Sequence, residues 1–190
     1  MRGRMSVARD ECYRDLRIPF FDASIMSRLT ALAEQRITDG AFIRYDDYET
    51  PEEFADVLDT IPEIGEFAGR CTVGCRPLFM FLPPRFSMDI HRDVHFLDTR
   101  KCCIGVIAFP SADIAPTRFY AREGKETLVL SADWQHGRPK LLNIQQWHNV
   151  DNSNTWRANL QLSLDADYGD VIDLIKTNSL FRGHECELKD

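Results

Sequence analysis

From about residue 70 the chain breaks into short runs rich in Val, Ile, Leu and Phe, separated by Pro, Gly, Asp and Asn. Strands are expected near CRPLFMFL, SMDIHRD, CCIGVIAF, TRFYARE, TLVLS, PKLLNIQQ, HNV and RANLQLSL, the spacing of an antiparallel sandwich or barrel. The last alternates most regularly. Arg157, Asn159, Gln161 and Ser163 share one face, and Ala158, Leu160, Leu162 and Leu164 share the other. A charge on the polar face of so regular a strand asks for a partner.

Flanking helices complete the expected architecture, which is mainly β. In DASIMSRLTALAEQR, Ile25, Leu29 and Leu32 recur at helical intervals behind Asp22 as cap. Thr50, Pro51 and Glu53 supply an N-cap oxygen, a first-turn proline and a reciprocal glutamate, with Phe54, Val57 and Leu58 as the apolar face. That helix should run to Pro62. A closing helix, DYGDVIDLIKTN, offers Val171, Ile172 and Ile175. Each stripe is expected to cover a sheet face. With 190 residues and 44% hydrophobic content, one substantial core can form, and the chain is too short to divide comfortably into two. A single domain, 1–190, is expected: a helical or mixed region over 1–69, the β core over 70–166, and a helix and tail over 167–190.

Twenty-three basic against 30 acidic residues leave a formal charge of −7, and no Lys/Arg run appears, which disfavours a nucleic-acid partner. No segment approaches the ~20 apolar residues of a membrane span, and MRGRMSVARDECYRDL lacks an apolar stretch of signal length. A cytoplasmic, reducing location is therefore expected, with the six cysteines as thiols. Cys71 and Cys75 in CTVGC could be half of a zinc site, but no second pair completes it, so buried thiols are expected. Cys102 and Cys103, adjacent on a strand, should face opposite ways as small hydrophobes.

DIHRDVH carries the chemistry. Residues two apart on an extended strand point to the same side, so His91 and Asp93 present an imidazole and a carboxylate to one space. His148 can supply a third ligand, because antiparallel strands bring distant segments side by side. Two histidines and one carboxylate, with other positions open, are the set used by non-haem Fe(II) oxygenases. An isolated H-x-D more often marks a solvated turn or a hydrogen-bonded core pair; the distal histidine makes the pattern more specific.

Two stretches, LPPRFSMDIHRD and PKLLNIQQWHNVDNSNTWRANLQLSL, resemble the Fe(II)/2-oxoglutarate-dependent oxygenases, over about residues 78–164. The likeness is nearest to small members related to aspartyl/asparaginyl hydroxylases, although Asp93 stands in the standard ligand position that several of those lack. The resemblance implies a double-stranded β-helix core, of jelly-roll or cupin-like form. It implies that His91, Asp93 and His148 hold Fe(II), and that Arg157 binds the distal carboxylate of 2-oxoglutarate, with dioxygen as co-reactant. The physical argument agrees: a guanidinium is a planar fork matched to a carboxylate, and inside a sheet it needs an anion. Asn143 and Arg100 are further candidates for polar contacts with the cosubstrate, and Arg118 a weaker one. The implied substrate is an amino acid, a protein residue or a small metabolite.

The rival reading is a cupin-like module that holds a metal or small acid without turnover, which leaves Arg157 unexplained. His95 is expected beyond the strand, not as a ligand. His136 and His184, in polar loops, are expected to be solvated, as are Asp46 and Asp47. Phe119, Tyr120, Trp147 and Trp156 would either wall a pocket or serve as ordinary packing.

Overall fold

A computed structural model describes residues 8–40, 58–93, 101–122 and 125–189. In chain order its elements are α1 (Arg9–Cys12), β1 (Tyr13–Arg17), α2 (Ala23–Asp39), α3 (Pro62–Gly69), β2 (Cys75–Leu82), β3 (Cys102–Phe109), β4 (Thr117–Arg122), β5 (Lys125–Ala132), β6 (Lys140–Leu142), β7 (Trp147–Val150), β8 (Arg157–Leu164), α4 (Tyr168–Lys176) and β9 (Glu187–Lys189). Among the described residues the strands form two sheets, a six-stranded one ordered β2-β8-β3-β6-β1-β9 and a three-stranded one ordered β5-β4-β7. All recorded pairings are antiparallel. The architecture is mainly β with flanking helices, as the strand spacing required.

The two faces of β8 explain its alternation. Ala158, Leu160, Leu162 and Leu164 join one cluster with Ile25, Leu29, Ala33, Phe67, Val171 and Ile175, so the leucine face packs under the helices. Truncating one of these fully buried leucines to Ala costs about 2–5 kcal/mol. Central strand β3 is buried along nearly its whole length. Cys102 belongs to the helix-side cluster and Cys103 to a second cluster with Phe119 and Leu142, so the adjacent thiols do face opposite ways.

Register fixes what the other face of the large sheet presents. Asp15, Lys140, Gly105, Gln161 and Leu78 form one row across β1, β6, β3, β8 and β2. The face carrying this row turns toward the small sheet, which contributes Phe119 to the cluster of Cys103, Ile107 and Leu142.

Asp22 caps α2 through Oδ1, which accepts from Ser24 N and Ile25 N at 2.9 Å each, and Gly40, at φ +67°, ends it. The expected second helix lies mostly outside the described residues, which include only 58–61 of it, and Pro62 opens α3. The sheet also extends beyond the expected stretch of 70–166, because β1 and β9 pair with each other and β1 with β6.

Two expected strands are corrected. PKLLNIQQ is extended only over Lys140–Leu142, then turns, with Gln146 N donating to Asn143 O. SMDIHRD is not a continuous strand: it makes isolated bridges, His91 to His148 within β7 and Ser87 to Asp151 just past it. No described helix is long and apolar enough to cross a membrane.

Candidate metal centre

His91 and His148 form a reciprocal antiparallel bridge. His91 N donates to His148 O at 3.0 Å and His148 N to His91 O at 2.9 Å. The exchange sets their rings side by side, with centroids 4.5 Å apart. Each ring is then oriented in the same way. His91 Nδ1 lies 2.7 Å from Asp89 O, and His148 Nδ1 lies 2.9 Å from Gln146 O, each carbonyl two residues upstream. A carbonyl only accepts, so each Nδ1 carries a proton and each Nε2 is the nitrogen left to bind a metal. This is the orientation that metal-ligating histidines take from their surroundings.

Asp93 completes the group. Its backbone N–H donates to Ile144 O at 3.0 Å, and its Oδ1 lies 3.2 Å from His91 Nε2. One donor atom from each of His91, Asp93 and His148 lies within 4.8 Å of the others. Burial works against a charge on His91, but the Asp93 hydrogen bond, the Asp89 carbonyl and the nearby carboxylate charges outweigh it, and its pKa is raised. His148, buried behind Phe119, has its pKa lowered by desolvation.

Arg157 opens β8 opposite Leu82 of β2. It is 3% exposed. Its NH1 donates to Ala115 O at 3.0 Å, while its Nε is buried without an acceptor. Among the described residues no carboxylate pairs with it, and burial lowers its pKa to about 10. Its Cζ lies 5.4 Å from the ring centre of Trp134, whose Nε1 donates to Thr117 Oγ1 at 3.0 Å.

His91, Asp93, His148 and Arg157 all line one cavity of about 70 Å³, along with Trp134, Thr117, Asn159 and Gln161. The polar face of β8 is therefore a cavity wall. Leu82, Leu142, Ile144 and Val150 supply apolar lining.

The remaining candidates fall elsewhere. Asn143 does not line this cavity: its Nδ2 donates to Glu11 O at 2.9 Å, and its Oδ1 accepts from Gln145 N at 3.2 Å. It is a turn-former that ties down the N-terminal segment. Arg118 is paired with Asp151. Arg100, His95, Asp46 and Asp47 lie outside the described residues. Phe119 packs behind His148, whereas Trp147 carries the Arg92 guanidinium 4.5 Å from its ring.

Two histidines expected in solvent are half-buried. His136 Nε2 is 3.1 Å from both Thr30 Oγ1 and Ala108 O, and His184 stands edge-on to Phe67 at 5.1 Å. Both loops fold onto helices that local polarity does not reveal. Trp134 escaped the sequence reading because SADWQHGRP reads as a turn; only closure of the sheets puts its ring inside.

The chain matches no protein-family profile and no curated protein sequence. It is similar in structure to a prolyl-4-hydroxylase from Pseudomonas putida, with a TM-score of 0.53 and 14% identity over 80% of this chain and 91% of that one. It is equally similar to a Trichoplax adhaerens prolyl hydroxylase solved with a hypoxia-inducible-factor oxygen degradation domain peptide, with a TM-score of 0.53 and 14% identity over 80% and 82% of the two chains. At this identity the likeness establishes the double-stranded β-helix fold.

Proposed function

We propose that the chain is an Fe(II)/2-oxoglutarate-dependent dioxygenase that hydroxylates an unactivated C–H bond. One observation carries the reading: two histidines, a carboxylate and a buried arginine without a carboxylate partner line the same cavity. The donor set fits a ferrous ion, with two imidazole nitrogens held as lone-pair donors and one carboxylate oxygen. Arg157 fits the far carboxylate of a 2-oxo diacid, because its buried Nε has no acceptor and a diacid supplies one. A cupin-like module that held a metal without turnover would have no use for that arginine.

His91, Asp93 and His148 would hold Fe(II), leaving positions for the 2-oxo acid and dioxygen. When bound, these groups supply the oxidising chemistry that turns C–H and dioxygen into C–OH, with 2-oxoglutarate leaving as succinate and carbon dioxide. The chain's own part is binding and exclusion. The Nδ1–carbonyl bonds fix the imidazoles, Arg157 sets the direction of the diacid, and the apolar lining keeps water out.

The substrate is an amino acid, a protein residue or a small metabolite. The peptide-bound Trichoplax neighbour supports a protein residue. The neighbours lend no support to an aspartyl/asparaginyl specificity. A cytoplasmic setting suits six cysteines that stand as thiols.

The test is anaerobic addition of Fe(II) and 2-oxoglutarate, read by the visible charge-transfer band of the chelate, followed by oxygen and assay of succinate. A band and succinate are expected. Absence of both from folded, metal-binding protein would falsify the reading.

A further inference from the structure

We propose that Trp134 is the positioning residue of the carboxylate clamp: its indole face holds the Arg157 guanidinium aimed into the cavity. The affinity for a 2-oxo diacid then depends on the ring as well as on the arginine. This rests on the oxygenase reading above.

Arg157 is poorly held by hydrogen bonds. One, from NH1 to Ala115 O, cannot define the plane of a guanidinium whose Nε has no acceptor. What remains is the Trp134 ring, 5.4 Å from Cζ. A cation over an indole face is attracted by the ring's negative centre, and more strongly when water is excluded. Burial also makes the charged state of Arg157 costly, which a π face partly offsets.

The ring is itself held from several sides. Its N–H donates to the buried Thr117 hydroxyl at 3.0 Å. Beneath it is Gly105, where a Cβ would come within 2.9 Å of Trp134 Cη2, so the indole lies directly on the β3 backbone. Lys140 and Gln161 flank Gly105 in register. The Lys140 ammonium, ion-paired with Asp15, lies 5.8 Å from the same ring. The glycine gives the ring room to lie on the sheet, and the two cations sit against its π system. Held this way, it offers the guanidinium a fixed platform before any ligand arrives, which is how preorganisation raises affinity.

The experiment titrates Fe(II)-loaded protein with 2-oxoglutarate under anaerobic conditions and measures Fe(II) affinity separately. Trp134→Leu should weaken 2-oxoglutarate binding about tenfold or more, and Trp134→Phe, which keeps a π face, by no more than about threefold. Fe(II) affinity should not move in either. In an Arg157→Ala background, Trp134→Leu should bring no further loss. The proposal is overturned if Trp134→Leu binds 2-oxoglutarate like wild type, or if its loss persists undiminished without Arg157, which is the result for a ring that merely packs. Should Trp134→Leu fail to fold, Thr117→Val frees the indole N–H with little change of shape; about a threefold weakening is expected, and unchanged affinity overturns the proposal. If wild type itself binds no 2-oxoglutarate, the oxygenase reading falls and takes this inference with it, an outcome distinct from equal binding by variant and wild type.

Discussion

Asp93 Oδ1 sits 3.2 Å from His91 Nε2, the nitrogen turned toward the carboxylate while Nδ1 of the same ring donates to Asp89 O. The atom that would bind a metal is thus the one that holds a proton when no metal is there. His148 differs, since burial lowers its pKa. Around pH 6.5, the ordinary value, His91 with its raised pKa is mostly protonated in the metal-free protein and His148 with its lowered pKa is mostly not. Metal binding in this window should therefore release about one proton from the histidine pair. Affinity should fall by about tenfold per pH unit on the acid side of the His91 pKa, and level off above it. Calorimetry of Zn(II) or Fe(II) binding in buffers of different ionisation enthalpy measures the count; two protons, or none, would contradict the assignment.

Replacing ligands tests the centre directly. His91→Ala and His148→Ala should each abolish tight Fe(II) binding, and Asp93→Ala should weaken it severely, because the three act as a unit. Anaerobic metal titration decides this, and wild-type affinity in all three variants would mean that the metal lies elsewhere.

Arg157→Ala should weaken 2-oxoglutarate binding by roughly ten- to a hundredfold, the loss of a charge-assisted contact worth about 1.5–3 kcal/mol. Fe(II) affinity should stay nearly unchanged. Arg157→Lys should recover only part, since a point charge cannot reproduce the fork. Equal 2-oxoglutarate binding by Arg157→Ala would move the clamp, with Arg100 next to be tried.

Asn143→Ala separates a turn-former from a cosubstrate contact. Loss of its bonds to Glu11 O and Gln145 N should lower stability by about 1–2 kcal/mol, seen as a reduced thermal midpoint, and leave the 2-oxoglutarate affinity intact.

Gly105→Ala places a methyl 2.9 Å from Trp134 Cη2. A buried indole on a central strand has little room to move, so a destabilisation of about 1–3 kcal/mol is expected. Chemical denaturation measures it, and a shift in tryptophan emission should report the displaced ring.

The sequence made the strongest elements legible because burial there follows backbone period. CRPLFMFL and RANLQLSL are strands over the expected residues because one side of each must meet helices. CCIGVIAF is apolar throughout because both its faces are covered. Asp22 was readable as a cap because its bonds are local. What could not be read depends on partners far along the chain. YRDLR in β1 and ELK in β9 have too little apolar pattern to announce strands, and their pairing with each other joins the two ends of the sequence. SMDIHRD has a strand's composition but only bridges β7, where backbone bonds at His91 and Asp93 fix the side chains. The separate signals of His91, Asp93, His148 and Arg157 lay in the sequence, whereas the ring beneath the arginine and the glycine beneath the ring needed the fold.

β8 lies between β2 and β3, strands that precede it in sequence and do not pair with each other. Until the last of the three arrives, the other two each keep an open edge, so the sheet cannot zip up from neighbours in order and must wait for a long-range insertion. Such topologies fold slowly and leave sticky edges exposed meanwhile. The strand that closes the gap is also the one that starts with Arg157. A chain caught before this insertion has an unfinished sheet and lacks the Arg157 wall of the cavity, so closure of the sheet and completion of the proposed diacid site are a single event.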